Sequence, residues 1–287
     1  MSAATQAGNY SSLVKLSHTV FALPFALSAV ILAAPFAEVT WWKVALIIVC
    51  IAAARTAAMG FNRLVDRDID ADNPRTADRE IPAGKVSVGA ARALVLASCA
   101  VFVAGAGVLG ELPLLLSPVA LALALGYSYT KRFTALCHVV LGVAVAFAPG
   151  GAWIAIGAPV TAAPWLLVAG VACWVAGFDI LYSLQDRDFD GAQQLHSIPV
   201  RFGVTGALWL SGLLHVGTVV ALVLAGMVLG RGTPYMMGVA LVGLLLTYEH
   251  AIVGPGDLSR IDKAFFDING YVSVAFLAFV GLDQLLA

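Results

Sequence analysis

The chain has 287 residues, 61% of them hydrophobic and only 11% charged, with a formal net charge of -1 and a mean hydropathy of +0.93. Water-soluble domains carry about 25% charged residues, so a core wrapped in a polar surface is excluded and the bilayer becomes the expected solvent. So small a net charge gives no electrostatic case for nucleic acid, and none is expected as a partner.

From the N-terminus, the first apolar run covers 16–34 and follows a single basic residue, Lys15. It contains His18 and Pro24 and exceeds the about 7–15 residues of a signal-peptide core, so a retained helix is expected rather than a cleaved leader. Eight further runs, each near the about 20 residues that cross a bilayer, cover 43–62, 88–109, 112–130, 135–156, 164–184, 205–229, 234–253 and 264–286. No period-two alternation competes with them, so a β-barrel is not expected. Abundant glycine and alanine suit close helix packing in lipid. Cys50, Cys99, Cys137 and Cys173 each lie in apolar surroundings without CxxC spacing and read as small packing residues. The expectation is an all-α, polytopic membrane protein of nine transmembrane helices, forming one domain over 1–287.

Twelve of the 16 Lys and Arg fall on one side of such a layout. They are Lys15, Arg63, Arg67, Arg75, Arg79, Lys85, Lys131, Arg132, Arg187, Arg201, Arg260 and Lys263. Lys43 and Arg231 lie opposite, while Arg55 and Arg92 fall within helices. The positive-inside rule then places the N-terminus and the even-numbered loops in the cytoplasm. The expected location is the cell (inner) membrane.

The two largest polar connections, 63–87 and 185–204, share that side and resemble one another. Leu64-Val65-Asp66-Arg67-Asp68-Ile69-Asp70 aligns with Leu184-Gln185-Asp186-Arg187-Asp188-Phe189-Asp190, and Ile81-Pro82 with Ile198-Pro199. An internal repeat carrying one acidic element per half is a stronger signal than either element alone. Asn62, Asp66 and Asp70 are spaced by four, as are Asp186 and Asp190, with Asp179 seven residues before Asp186. On a helix that spacing stacks the side chains on one face, where they repel unless a cation lies among them. Hard oxygen donors of this kind suit Mg²⁺ shared with substrate phosphates.

The acids admit other readings. Asp186 to Gly191 matches the opening of a calcium loop, but Ser197 stands where the bidentate Glu belongs, and Ala77 in the first copy. A transporter could use intramembrane acids as cation or proton sites, though these cluster at the membrane face rather than the midplane. A solvated helix end would explain one cluster but not the duplication.

Arg55, seven residues before Asn62, is either a functional intramembrane cation or one that snorkels to the interface. Lys131, four residues after Tyr127, and Arg132 could stabilise a leaving diphosphate or simply obey the positive-inside rule. His196 either contacts phosphate or is an uninvolved loop residue. His18 lies where it could line a cavity. Aromatics such as Phe147, Trp153, Trp174 and Phe178 either pack or flank a prenyl chain or carbocation.

Taken together, these residues resemble the UbiA superfamily of intramembrane prenyltransferases. Asn62-Arg63-Leu64-Val65-Asp66-Arg67-Asp68-Ile69-Asp70 is similar to its first acidic segment, Asp186 to Asp190 with Asp179 to its second, and Tyr127 to Lys131 to its Tyr-x-x-x-Lys element. Arg75-Thr76-Ala77-Asp78-Arg79 and Ile81-Pro82-Ala83-Gly84 extend the likeness. Arg63 stands where the family usually has Asp. That departure, with Leu195-His196-Ser197-Ile198-Pro199, resembles the 4-hydroxybenzoate polyprenyltransferase-like branch of quinone biosynthesis, including members assigned to the futalosine route to menaquinone. The resemblance implies a helical bundle around a cavity open to the cytoplasmic face. It also implies Mg²⁺-dependent transfer from a polyprenyl diphosphate to an aromatic acid such as 4-hydroxybenzoate. Asn62, Asp66, Asp70, Asp179, Asp186 and Asp190 would hold metal, with Asp66, Asp70, Asp186 and Asp190 catalytic. Arg55, Arg63, Arg67, Tyr127, Lys131, Arg132 and His196 would bind substrate, with Arg55, Arg67, Lys131 and Arg132 as candidates for neutralising the phosphates and Arg63 binding either the diphosphate or the acceptor's acid group.

Overall fold

A computed structural model describes residues 8, 10, 12, 13 and 19–287. The helices are α1 (Thr19–Ala33), α2 (Trp41–Val65), α3 (Arg67–Asp72), α4 (Val88–Leu109), α5 (Glu111–Thr130), α6 (Cys137–Ile156), α7 (Ala162–Ser183), α8 (Arg187–Ala192), α9 (Ile198–Val228), α10 (Thr233–Ile252), α11 (Ile261–Lys263) and α12 (Asn269–Leu286). Among the described residues the only β feature is an isolated bridge between Gly254 and Asp257. Eight helical segments are long and apolar enough to cross a membrane. The expected ninth is represented by α1, whose 15 residues fall short of that length. The expectations on Lys15 and His18 lie outside the described residues.

Exposed Leu96, Leu115, Leu213 and Leu244 turn outward while Arg63, Asp66, Asp70 and Glu249 are buried. That inversion of a soluble protein's surface is what a multi-pass membrane protein requires. α7 is the central helix, packed on α6 on one side and α9 on the other. The α6–α7 crossing is close because Gly142 lies directly against the Ala172 carbonyl, where a Cβ would collide. α2 pairs with α4, α10 with α12, and α1 lies against α6 and α12.

One boundary differs from the sequence expectation. α9 starts at Ile198, not 205, because Ser197 Oγ accepts the Val200 N–H at 3.3 Å and Pro199 occupies the first turn. At Gly203 the helix breaks, with φ 69° and ψ -177°, a conformation essentially restricted to glycine. The apolar run beginning at 205 is the part beyond that break.

Candidate active site

Both helices stop at or just before the first aspartate of the repeat, α2 at Val65 and α7 at Ser183, three residues before Asp186. Asp66 (φ -93°, ψ 3°) separates α2 from α3, and Asp186 (φ -99°, ψ 0°) precedes α8. Each is followed by a six-residue helix, so the sequence repeat is also a backbone repeat. The break matters because it lets successive acids leave a single stacked face and turn toward a shared space. Asn62, Asp66, Asp70, Asp179, Asp186 and Asp190 all line one cavity of about 820 Å³.

Asp66, Asp70 and Asp186 each have a cationic counter-group. Asp66 is buried and accepts from Asn62 Nδ2 at 3.1 Å, with Lys131 Nζ at 2.6 Å and Arg132 Nη2 at 3.0 Å. Arg132 also bonds the carbonyls of Val65 (3.0 Å) and Ser128 (2.9 Å), which ties the end of α5 to the end of α2. Asp70 pairs with Arg79 at 2.6 Å and lies 4.0 Å from Arg63. Its Oδ2 is buried and has no hydrogen-bond partner. Asp186 is gripped by Arg75 through both carboxylate oxygens and accepts from Asn73 Nδ2 at 3.0 Å. Arg75 Nη1 further donates to the Tyr182 hydroxyl at 3.2 Å. Burial by itself lowers the pKa of the Arg75 guanidinium, but the hydrogen bond and charge of Asp186 outweigh it and hold the group above its ordinary value.

Asp179 faces His138 instead of a permanent cation, with Nδ1 to Oδ2 at 2.7 Å. His138 Nε2 accepts the Ile198 N–H at 3.3 Å. A nitrogen that accepts carries no proton, so Nδ1 holds it and donates to Asp179. Asp190 opens onto the cavity with no Lys or Arg in ion-pair range among the described residues.

Arg55, Arg63, Tyr127 and Lys131 also line the cavity. Arg55 Nε is buried and unpartnered, and no carboxylate pairs with this guanidinium among the described residues. Arg132 stands behind the wall, acting on Asp66. Arg67 turns outward and pairs with Asp68 at 3.3 Å, and His196 is exposed at a small hollow beside Phe133 and Arg201; neither lines the main cavity. Phe147 and Phe178 line it, whereas Trp153 and Trp174 are fully buried packing residues. Asn73, Arg75, Arg79, His138 and Tyr182 were not among the sequence candidates. The arginines interleaved with acids in 66–79 were the available signal for two of them. His138 had none, because its partner is 41 positions away.

Beyond the acidic mouth the lining is apolar, with small residues such as Ala54, Ala58 and Ala144 interleaved with larger ones such as Leu116, Leu141 and Phe147. The arrangement joins an anion- and cation-handling mouth to a slot for a long hydrocarbon.

The chain is similar to known proteins over most of its length. Residues 22–279 match the UbiA prenyltransferase family. The 4-hydroxybenzoate octaprenyltransferase of Enterobacter sp. (strain 638) is 32% identical over 228 residues, covering 79% of this chain and 78% of that protein. Its counterpart in Citrobacter koseri is 31% identical over 241 residues, covering 84% and 82%. Among solved structures, the apo form of a UbiA homolog from Aeropyrum pernix K1 superposes with a TM-score of 0.85 at 35% identity, covering 93% of this chain and 98% of that one. A UbiA homolog from Archaeoglobus fulgidus bound to GPP and Mg²⁺ has a TM-score of 0.74 at 20% identity, covering 96% and 99%, a likeness of fold.

Proposed function

The chain belongs to the UbiA prenyltransferase family, and from that premise we propose that it transfers a polyprenyl group from a polyprenyl diphosphate to an aromatic acid of the 4-hydroxybenzoate type, for quinone biosynthesis. The observation that carries this reading is the meeting of the two acidic segments at one cavity mouth, where Asn73 and Arg75 of the first hold Asp186 of the second. Family membership decides against the transport reading.

The residues fit Mg²⁺. The donor set is all oxygen, and Asp70 Oδ2 is a buried acceptor with no protein partner. Among the described residues no three His, Cys, Asp or Glu side chains converge closely enough to hold an ion by themselves. A bound Mg²⁺ would therefore complete its shell with waters and phosphate oxygens. Asp66, Asp70, Asp186 and Asp190, with Asn62 and Asp179, would hold it. When bound, Mg²⁺ neutralises the diphosphate and so favours its departure.

The chain's own groups do the rest. Lys131, Arg75 and Arg79, now on carboxylates, lie at the mouth and can shift part of their hydrogen bonding to diphosphate oxygens. Arg63, close to Asp70, belongs to the same set. Arg55 lies seven residues, roughly 10 Å, deeper along α2 than Asn62. Too deep for the diphosphate and lacking a protein anion, it suits the carboxylate of the acceptor. The apolar lining excludes water from the allylic cation while the acceptor ring attacks.

The excess of Lys and Arg near this mouth supports a cytoplasmic active site and N-terminus in a cell (inner) membrane, with one domain spanning 1–287. The decisive assay uses purified protein in detergent, one long-chain prenyl diphosphate, Mg²⁺ and a panel of aromatic acids. Prenylated acid by mass spectrometry with stoichiometric diphosphate is expected. Diphosphate release without any prenylated product across the panel would overturn the acceptor assignment, and no release at all would overturn the function.

A further inference from the structure

The bundle holds a second group of buried polar side chains, apart from the acidic mouth. Glu249 on α10 and Asn269 at the start of α12 are fully buried. Asn269 Nδ2 donates to Glu249 Oε1 at 3.0 Å and to the Ala264 carbonyl at 3.1 Å, and its Oδ1 accepts from Trp174 Nε1 at 2.7 Å. On the other side of Glu249, His215 Nδ1 lies 3.8 Å from Oε2 and 3.0 Å from His250 Nε2. None of these five residues lines the cavity. Polar groups at such depth are costly and call for a reason.

The reason lies in the segment Ala264–Ile268, a π-helical turn between α11 and α12. Single π turns inside helices re-aim the residues they contain. The bond from Asn269 to Ala264 spans this one from end to end. Within it, Phe265 reaches the cavity wall, edge-on to Phe21 and Phe178 with centroids 5.6 and 5.3 Å away, and stacked on Tyr182 at 4.1 Å. Tyr182 accepts from Arg75, which holds Asp186. Trp174, bonded to Asn269, supports Phe178 from behind, edge-on at 5.1 Å. A continuous path of contacts thus runs from Glu249 to the second acidic segment.

We infer that Asn269, locked by Glu249, is a positioning residue for prenyl transfer: it fixes the turn that sets Phe265, and with it the aromatic wall of Phe21, Phe178 and Phe265, beside the carbon that becomes cationic. This rests on the prenyl-transfer reading. In that reaction the bond from the allylic carbon to the diphosphate oxygen breaks and both electrons leave with the diphosphate. The carbon is left positive until an acceptor ring carbon bonds to it, and the displaced ring proton passes to the released diphosphate. Aromatic faces stabilise such a cation and, unlike a carboxylate, do not capture it. The stabilisation is directional, so a ring that loses its aim loses the effect.

The test compares Glu249→Gln, Glu249→Leu and Phe265→Leu with the wild type under saturating Mg²⁺, reading kcat and the donor KM separately and checking each variant by gel filtration. Glu249→Gln keeps an oxygen for Asn269 and is expected to retain the wild-type kcat. Glu249→Leu and Phe265→Leu are expected to lower kcat about tenfold with donor KM unchanged. Phe265→Leu probes the wall directly and does not depend on the buried network surviving substitution. If Glu249→Leu elutes as folded protein with wild-type kcat, if Glu249→Gln falls as far as Glu249→Leu, or if Phe265→Leu leaves kcat unchanged, the inference is overturned. A wild type inactive with every donor overturns the prenyl-transfer reading and this inference with it, whereas an active wild type matched by the Leu variants overturns the inference alone.

Discussion

Asn73 and Asp186 are separated by 113 positions, yet Asn73 Nδ2 donates to Asp186 Oδ1 at 3.0 Å. Arg75 grips the same carboxylate from the same loop. The first acidic segment therefore supplies the counter-groups of the second. One consequence is that the mouth of the cavity is assembled by a contact between halves and not by either half alone.

Arg75→Ala should uncouple the halves. Asp186 would keep only Asn73, and a half-buried carboxylate would lose its cation. The expected result is a fall of about tenfold in kcat/KM for the prenyl diphosphate, roughly 1.4 kcal/mol, with acceptor KM unchanged. Steady-state kinetics with each substrate varied in turn checks this. An unaltered donor KM together with an unaltered kcat would remove Arg75 from the site.

Asp66→Asn and Asp186→Asn change one atom each and leave the shape of the mouth intact. Loss of a carboxylate that supports the charge of a leaving diphosphate should cost about 100- to 1000-fold in kcat. The measurement is diphosphate release under saturating substrates, with insertion verified by membrane fractionation. Near-full rate from either variant would show that its carboxylate holds no metal.

How much of this was legible in the sequence follows from the range of each signal. The helices were readable because lipid demands about 20 apolar residues per crossing, a local requirement. The acidic segments were readable because the repeat is local and occurs twice. The break at Asp66 was hidden, since spacing by four looks the same whether the helix continues or stops. The start of α9 at Ile198 was hidden too, because the polar loop and the kink at Gly203 mask the cap made by Ser197. His138, Tyr182 and Asn269 were not legible as site residues, since each acquires its role from a partner 41, 107 or 20 positions away. His196 and Arg67 were picked for their neighbours in sequence, and their side chains turn away from the cavity.

Chelation should be reversible. Asp66, Asp70 and Asp186 have protein counter-ions without metal, so EDTA is expected to stop turnover and leave the fold intact. Added Mg²⁺ should restore the rate, and Ca²⁺ should restore it poorly, because its longer and more numerous bonds do not suit a site that keeps waters and phosphate oxygens. Turnover read alongside the thermal midpoint separates the two effects. Persistent activity after exhaustive chelation would mean that the cations Lys131, Arg75 and Arg79 suffice for diphosphate departure.

Arg55 separates the two substrates. It is a buried cation with an unpartnered Nε, placed about two turns deeper on α2 than Asn62. Carrying a lone charge there destabilises the empty protein, so Arg55→Leu should raise the thermal midpoint or leave it unchanged. A charged hydrogen bond to a carboxylate contributes about 1.5–3 kcal/mol, which predicts a rise of roughly 10- to 100-fold in acceptor KM. Donor KM should stay within twofold, roughly 0.4 kcal/mol. Arg63→Leu serves as the contrast, because Arg63 lies 4.0 Å from Asp70 at the mouth, and there the donor KM should move. A donor KM that rises in Arg55→Leu while the acceptor KM holds would assign Arg55 to the diphosphate, and the acceptor's acid group would then have to find its cation in Arg63.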